Sequence, residues 1–476
     1  MPRRHHMIPA WPVIPPAGGG GGGGGGLFAP DFPRLGRYDI GGWSYSNTTL
    51  RDYWKKQHII IHNGWDGGEG LYGTMTSWQS AVKAGSTVGS QKILFYTDTH
   101  LVDTTGTGMQ KFRDQANTSN WLVRQSYPSG TVSFSYWDTS HYLQNFFSGG
   151  NTAGGYEGYQ WWARWKKDFI YDGGAGGFAF SQTANANQDG QFWDDLLVEL
   201  IGNNANGTYP TDYQRTGTAQ NNATGGFLAA FRSGQVSLVQ YMQSILPDKF
   251  HIANFSQGYN STNRTNMTGA FSGVFNGGVA EHCLGGTTGL TVGNTNEQNG
   301  DQLTVYQWAQ DLATADKSIL VNHNGLTSTG KDGIDATNNY RAMRYGLCFT
   351  LVHGDGYYSP NTGSYDGLNN TSLIFDEFTG GAIGSAGYMG QAVDARQTSP
   401  YSNGVYVRKF YNSSAGRDCL AVVNPPGNGT QTITLPAKPH GGNWTFLTGT
   451  QDSTTNSGAS TGGSLTIAAR DGRILI

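Results

Sequence analysis

Eight short apolar runs recur between residues 36 and 359, and each is followed by polar or acidic residues. Amphipathic segments such as 225–246 and 301–315, with apolar residues at three- and four-residue steps, lie between several of the runs. Strands that alternate with helices predict parallel pairing through crossover connections. Eight such units favour a closed (β/α)8 TIM barrel over an open sheet. The runs are 36–43, 58–65, 92–100, 189–196, 250–257, 273–283, 318–325 and 347–359.

The remainder of the chain has a different character at each end. Residues 1–30 are rich in Pro and Gly, with an unbroken glycine run at 18–26, and we expect a disordered tail. From about residue 402, short alternating runs separated by Gly, Pro and Asn predict an antiparallel β-sandwich. We therefore predict a tail (1–30), a catalytic barrel with insertions (31–395) and a β-sandwich domain (400–476). Trp444 in this last domain is expected in the core, with a sugar-binding role as the alternative.

Charge and hydropathy exclude several classes of protein. The formal net charge is −3 and only 13% of residues are charged, so no nucleic-acid partner is expected. No run approaches about 18 apolar residues, so no membrane span is expected. The start of the chain lacks the apolar centre of a secretory signal, and the location stays open between cytoplasmic, non-classically exported and virion-associated. Three scattered cysteines do not indicate a disulfide framework or a zinc cage.

Acidic residues gather at the ends of the predicted strands, where barrel enzymes assemble their active sites. Histidines and tryptophans join them at His62, His353 and Trp43. Asp194 and Asp195 are neighbours, so only one of them should face the barrel centre, and we favour Asp194 because it follows the apolar Phe192 by two residues. The residues expected to bind substrate are Asp39, Trp65, Asp98, His100, Trp193, Asp195, His282, His323 and Asp355.

These residue types match the needs of glycoside cleavage. One carboxylic acid must protonate the leaving oxygen, and one carboxylate must attack the sugar or activate water. Other carboxylates and histidines bind hydroxyl groups, and tryptophan rings stack on sugar rings. We therefore expect an oligo- or polysaccharide substrate, and neither a cofactor nor a metal ion.

Several motifs resemble a poorly characterised group of glycoside hydrolases that is distantly related to the α-galactosidase superfamily of barrels. They are "DGQFWDD" on the fourth predicted strand, "GGVAEHC" on the sixth and "RYGLCFTLVHGDGYYS" at the eighth, followed by "DEFTGG", "GYMGQ", "GVYVRKF" and "LAVVNP". The resemblance extends from about residue 37 to the end of the chain, and it rests on the order and spacing of loose motifs.

The resemblance implies that Asp194 is the nucleophile and Glu281 the general acid, with Asp355 binding sugar hydroxyls. This sequence departs from the pattern of the superfamily at two positions. Phe192 occupies a position that is usually Lys, two residues before the nucleophile, and Glu281 replaces the usual Asp. Retaining and inverting stereochemistry both stay open.

Two alternatives use the same residues. The first is a barrel that binds carbohydrate without catalysis, such as a surface or phage-particle component attached through the glycine-rich tail. The second is a metal-dependent hydrolase, although no HExxH motif and no His-x-His after the first strand is present.

Overall fold

The structure is a computed structural model that describes most of the chain from residue 30 onward. The described residues are 30–39, 48–62, 68–105, 109–125, 130–135, 138–146, 152–179, 182, 184–205, 211–255, 258, 260–284, 301–313, 318–323, 340–360 and 375–476. Residues 1–29 of the predicted tail, Trp43 and Trp65 lie outside these ranges.

Eight parallel strands form the main sheet, in chain order apart from one inserted pair. A parallel bridge joins Leu35, just before the first strand, to Tyr358 in the last, so the sheet curls into a nearly closed barrel. This confirms the predicted TIM-barrel class. The barrel strands are β1 (Gly36–Asp39), β2 (Ile59–His62), β3 (Lys92–Asp98), β6 (Gly190–Asp194), β7 (Phe250–Asn254), β8 (Gly277–Leu284), β9 (Ser318–His323) and β10 (Tyr357–Pro360); the inserted antiparallel pair is β4 (Leu101–Asp103) and β5 (His141–Leu143).

Helices occupy the connections, as the amphipathic segments predict. A π-helical turn, Asp168–Asp172, extends α4. Within the described ranges, every helix is too short or too polar to cross a bilayer. The helices are α1 (Thr48–Trp54), α2 (Gly68–Ala84), α3 (Gln110–Thr118), α4 (Gly158–Lys167), α5 (Gly202–Ala205), α6 (Phe227–Ile245), α7 (Ser261–Phe271), α8 (Asp301–Leu312), α9 (Tyr340–His353) and α10 (Asp376–Thr379).

The barrel interior is a packed apolar cluster built from every second residue of the strands. Side chains at positions i and i+2 of a strand share a face, so each strand sends alternate residues inward. Large rings and branched aliphatic chains fill the space, which makes the interior a core rather than a pore. The cluster contains Tyr38, Ile59, Ile61, Leu94, Phe192, Phe250, Ile252, Val279, Leu320 and Tyr357, with Tyr96 packed against it.

The last apolar run is only partly a strand, and this corrects the prediction for 347–359. Residues up to His353 continue α9, and β10 begins at Tyr357. The helix is buried on all sides from Ala342 to His353, because it packs between the barrel and the C-terminal sheets. A helix buried all round has no polar face, so its sequence is not distinguishable from a buried strand by periodicity.

Antiparallel sheets follow the barrel, as predicted. A four-stranded sheet has the order β11–β12–β13–β16, and β14 pairs with β15. Successive residues of β13 point to opposite faces: Leu420 packs with the residues of β14 and β15, whereas Cys419 and Ala421 join the large cluster that includes α9. Trp444 is buried in the first of these cores, and its Nε1 donates to the Pro436 carbonyl. The strands are β11 (Gln391–Ala392), β12 (Tyr406–Asn412), β13 (Arg417–Asn424), β14 (Gln431–Thr434), β15 (Ser464–Ile467) and β16 (Asp471–Leu475).

Candidate active site

Strand alternation places polar side chains above the apolar interior at the carboxyl end of the barrel. Phe192, Ile252 and Val279 belong to the interior cluster. Two residues further along each strand come Asp194, Asn254 and Glu281, on the same face. In the same way, Leu94 and Tyr96 lead to Asp98 on β3, which pairs directly with Asp194 in the sheet register.

The Asp194 carboxylate accepts hydrogen bonds from three neutral donors. The Tyr96 hydroxyl donates to Oδ2 at 2.6 Å. The Asn254 Nδ2 donates to Oδ1 at 2.8 Å, and the Asp195 backbone N–H donates to the same oxygen at 2.9 Å. Asp194 remains partly exposed, so these contacts fix its orientation without sealing it from the barrel mouth.

The Glu281 carboxyl group lies beside Asp194 and shares a partner with it. Asn254 Nδ2 donates to Glu281 Oε2 at 2.6 Å, and the Tyr38 hydroxyl donates to Oε1 at 3.3 Å. One nitrogen therefore contacts both carboxyl groups. The two contacted oxygens can be no further apart than these two hydrogen bonds laid end to end, an upper limit that is compatible with the roughly 5–5.5 Å carboxyl separation of retaining glycosidases.

Phe192 supports both tyrosines that hold the carboxyl groups. Its ring packs edge-on against Tyr38 at 5.3 Å between centroids and lies 5.8 Å from Tyr96. Aromatic contacts at these distances restrict the ring positions. Phe192 thus serves packing at this position.

Burial and like charge make Glu281 a weak acid. Its side chain is 6% exposed. Burial raises the pKa of Glu281 to about 8 and the charge of Asp194 adds to the rise, whereas the hydrogen bonds from Asn254 and Tyr38 partly offset it. Glu281 is consequently protonated at neutral pH and can donate that proton.

Asp98 is a third buried carboxyl group at the same end. Its Oδ1 accepts the backbone N–H groups of His100 at 2.9 Å and Leu101 at 3.0 Å. Burial raises the pKa of Asp98 to about 7, and the charge of Asp194 adds to the rise. The pair Asp98 and Asp194 therefore disfavours a second negative charge at neutral pH.

A buried lysine lies close to Asp98 on the helical side of the barrel wall. Lys166 of α4 is 1% exposed, and its Nζ lies 5.2 Å from the ring centroids of both Trp162 and Trp165. Burial lowers the pKa of Lys166 well below its ordinary value, and the charge of Asp98 opposes that fall. The sequence analysis did not identify Lys166, because a single Lys within an amphipathic helix carries no signal of burial.

Asp195 follows the strand in a left-handed backbone conformation, with φ of 54°. The Thr99 hydroxyl lies within hydrogen-bond distance of the carbonyl oxygens of both Asp194 and Asp195, at 2.8 and 2.9 Å. This turn aims the Asp195 backbone N–H at the Asp194 carboxylate. Asp194, rather than Asp195, faces the barrel axis, because its carboxylate contacts Tyr96 and Asn254.

Two residues expected to bind substrate are buried outside the barrel, and these predictions are corrected. Trp193 is fully buried on the outer face of β6, where its Nε1 donates to His251 Nδ1 at 3.1 Å. His100 is fully buried against Phe146 and Phe231. Trp193 alternates with the inward Phe192 and Asp194, and His100 lies beyond the end of β3 under α6, so neither faces the barrel axis.

The His62 side chain also points away from the barrel axis. It is buried beside Gln79 of α2, at 2.7 Å between Nε2 atoms. The expectation that it joins the barrel rim is therefore wrong.

Asp355 lies at the opposite end of the barrel from the carboxyl pair, which corrects its predicted role. It precedes β10, whereas Asp194 and Glu281 lie toward the carboxyl ends of their strands. Its carboxylate pairs with Arg408 at 2.7 Å. His353, at the end of α9, contacts the Gln397 carbonyl through Nδ1 at 2.8 Å. The mistaken strand assignment for 347–353 caused both errors.

Three further predicted residues are described only by their backbone: Asp39 ends β1, His282 lies within β8, and His323 ends β9. Among the residues whose side chains the structure describes, no group of three or more His, Cys, Asp or Glu is arranged to hold a metal ion.

Tyr38, Tyr96 and Asn254 are site residues that the sequence analysis missed. Tyr96 and Asn254 each lie two residues after an inward residue, Leu94 and Ile252, so the period-2 alternation could have identified them. Tyr38 carries no such signal, because its neighbour Asp39 was the residue predicted at the rim.

Comparison with known proteins gives distant structural likenesses only. No protein-family profile and no curated protein sequence matches the chain. The type III pullulan hydrolase from Thermococcus kodakarensis is 13% identical, with 91% of this chain and 71% of that chain covered, at a TM-score of 0.46. An α-amylase from Geobacillus thermoleovorans, complexed with acarbose, is 11% identical over 91% of both chains, with a TM-score of 0.44. The glycoside hydrolase domain of PelA from Pseudomonas aeruginosa is 9% identical over 70% of this chain and 97% of that chain, with a TM-score of 0.37.

Likenesses this distant carry no argument about activity. The resemblance to the α-galactosidase superfamily stays a prediction. What can be argued about function comes from the geometry of the carboxyl pair.

Proposed function

We propose that the chain is a retaining glycoside hydrolase that cleaves an O-glycosidic bond in an oligo- or polysaccharide. The observation that carries the proposal is the single amide nitrogen of Asn254 that contacts both Asp194 and Glu281. Carboxyl oxygens held by one shared nitrogen favour the double-displacement arrangement over the roughly 6.5–9.5 Å separation across which inverting enzymes place a water.

The two groups suit the two roles that this reaction needs. Asp194, which accepts three hydrogen bonds, attacks the anomeric carbon while the bond to the leaving oxygen breaks. Glu281, protonated at neutral pH, gives its proton to that oxygen. Water then attacks the anomeric carbon, Glu281 takes a proton from the water, and Asp194 is released.

Other residues at the same end would contact the sugar. Asp98 lies beside Asp194 with one carboxylate oxygen bound by backbone N–H groups, which orients the other for sugar hydroxyls. Asp39 and His323 end barrel strands, Asp195 and Trp65 follow strands in the chain, and His282 lies within β8; these five belong to the proposal by position alone.

We infer that the C-terminal sheets have a structural role. One face of the four-stranded sheet is joined to α9 in the main core, and Arg408 of β12 pairs with Asp355 below the barrel. The proposed division into a barrel to residue 395 and a sandwich from residue 400 agrees with these contacts except at β11, which already pairs with β12.

Screening the full chain against a glycan library, with Asp194→Asn as the control, tests the proposal. We expect release of reducing sugar from at least one glycan, and none by the variant. Binding without cleavage would overturn the hydrolase in favour of a carbohydrate-binding barrel. Cleavage that a chelator abolishes would instead indicate a metal-dependent hydrolase.

A further inference from the structure

The amide of Asn254 occupies the central position of the candidate site. Strand β7 lies between β6 and β8 in the sheet, so the side chain at its end reaches the carboxyl groups on both neighbours. Asn254 is 7% exposed, and its Nδ2 lies 2.8 Å from Asp194 Oδ1 and 2.6 Å from Glu281 Oε2. We propose that Asn254 is a positioning residue that couples the two carboxyl groups and stabilises whichever of them carries the negative charge.

The chemistry of a primary amide suits this role. Its nitrogen has two hydrogens, and here one serves each carboxyl group. A hydroxyl could serve only one of them. Because Oε2 of Glu281 accepts from the amide, the transferable proton of Glu281 belongs on Oε1, the oxygen that lies 3.3 Å from the Tyr38 hydroxyl.

The inference rests on the proposed function, in which the negative charge changes place. Before the first step the charge is on Asp194 and the proton on Glu281. After it, Asp194 is esterified and Glu281 is the carboxylate. A donor already bound to both oxygens stabilises each state without moving, which is the preorganisation that makes electrostatic stabilisation effective.

The surroundings of Glu281 define what removal of the amide would do. Asp194 faces it from β6 and Tyr38 from β1, and Tyr96 and Asp98 of β3 lie at the same end of the barrel. Without the amide, Glu281 would keep the like charge of Asp194 and lose a donor that favours its ionised form. Its titration should therefore move to higher pH.

Carboxyl 13C NMR titration of the full chain, labelled at Glu and Asp side chains, measures this directly. We expect the Glu281 resonance, assigned through Glu281→Gln, to titrate at higher pH in Asn254→Ala than in the wild type. Asn276→Ala is the matched control, since Asn276 precedes β8 at the other end of the barrel and its Oδ1 accepts from the His251 backbone N–H. The control should titrate as the wild type does.

Asn254→Asp serves as a second variant of the same shape, for the case in which the alanine variant does not fold. It replaces the donor with an acidic group, and Glu281 should titrate higher still. An unchanged Glu281 titration in a folded variant would overturn the coupling.

Kinetics separate this inference from the proposed function. On a glycan that the wild type cleaves, kcat of Asn254→Ala should fall about 10–100-fold, the value of a charge-assisted hydrogen bond. The alkaline limb of the pH profile should move upward together with the titration. If the wild type cleaves no glycan, the proposed hydrolase function is overturned, but the NMR titration still tests whether Asn254 couples the two carboxyl groups. If kcat falls and the alkaline limb of the pH profile does not move, Asn254 has only a packing role.

Discussion

Two regions of the molecule use the same residue type in opposite ways. At the carboxyl end of the barrel, Asp194 and Glu281 receive hydrogen bonds from neutral donors and repel each other. Beyond the other end, Asp355 pairs with Arg408, and the buried Asp471 lies 3.2 Å from the guanidinium of Arg344. A carboxylate paired with Arg is a structural element, whereas a buried carboxyl group beside another one is held ready to exchange a proton.

The largest expected effect separates the two regions by activity. Glu281→Gln should lose about 10²–10⁴-fold in turnover because the general acid is gone, and Asp194→Asn at least as much. Asp355→Asn should retain turnover within a few fold, because it lies at the far end of the barrel. Initial rates on a glycan from the library measure the turnover of all three variants. Equal losses in the three would contradict the distinction between the catalytic and the structural carboxyl groups.

The paired carboxylates should instead dominate stability. Arg344→Met takes one of two guanidinium partners from Asp471, which is 2% exposed; the other, Arg473, remains with its Nη1 2.6 Å from Oδ2. Removing one partner of a buried ion pair typically costs about 3–5 kcal/mol, and the remaining Arg473 should keep the loss at the lower end of that range. Chemical denaturation should show a loss of about 3 kcal/mol, and a variant as stable as the wild type would contradict the assigned structural role.

The pH dependence of turnover should report the carboxyl pair. The pKa of Glu281 is raised to about 8, so the proton needed for the leaving oxygen is present below that pH and lost above it. We expect kcat/KM to fall as the pH rises through about 8. In Arg344→Met, the molecules that remain folded should show the same alkaline limb.

A smaller effect is expected on the stability of the wild type itself. Because folding raises the pKa of Glu281 from 4.5 to about 8, its contribution to stability is fully present below pH 4.5 and is lost as the pH rises through 8. Glu281→Gln removes this dependence. Its Tm should exceed that of the wild type by on the order of 1–4 °C at pH 9, and the difference should shrink at pH 5. A wild type that is the more stable protein at pH 9 would contradict the raised pKa.

The sequence predicts the barrel well because its signal is local and repeated. Seven of the eight apolar runs coincide with barrel strands, and the alternation within the fourth run identifies Asp194 as an inward residue, whereas Glu281 is implied by the resemblance. The eighth run fails at α9, since burial between the barrel and the C-terminal sheets removes the polar face that marks a helix. Asp355 was misplaced for that reason alone.

The rest of the site depends on contacts between distant segments. Asn254 and Tyr96 are ordinary polar residues in the sequence, and only the pairing of β3, β6, β7 and β8 brings their donors to the carboxyl groups. Trp193 and His100 show the converse. Both lie next to site residues in sequence, but the alternation of β6 and the turn after β3 bury them behind the barrel wall.

Trapping of the covalent intermediate tests the central claim most directly. The full chain would be incubated with a panel of 2-deoxy-2-fluoro glycosides that carry activated leaving groups, and analysed by intact-mass and peptide-mapping mass spectrometry. The account predicts that one glycosyl group accumulates on Asp194 in the wild type and that none is added in Asp194→Asn. A label on another residue, or cleavage of a natural glycan with inversion at the anomeric carbon, would contradict it.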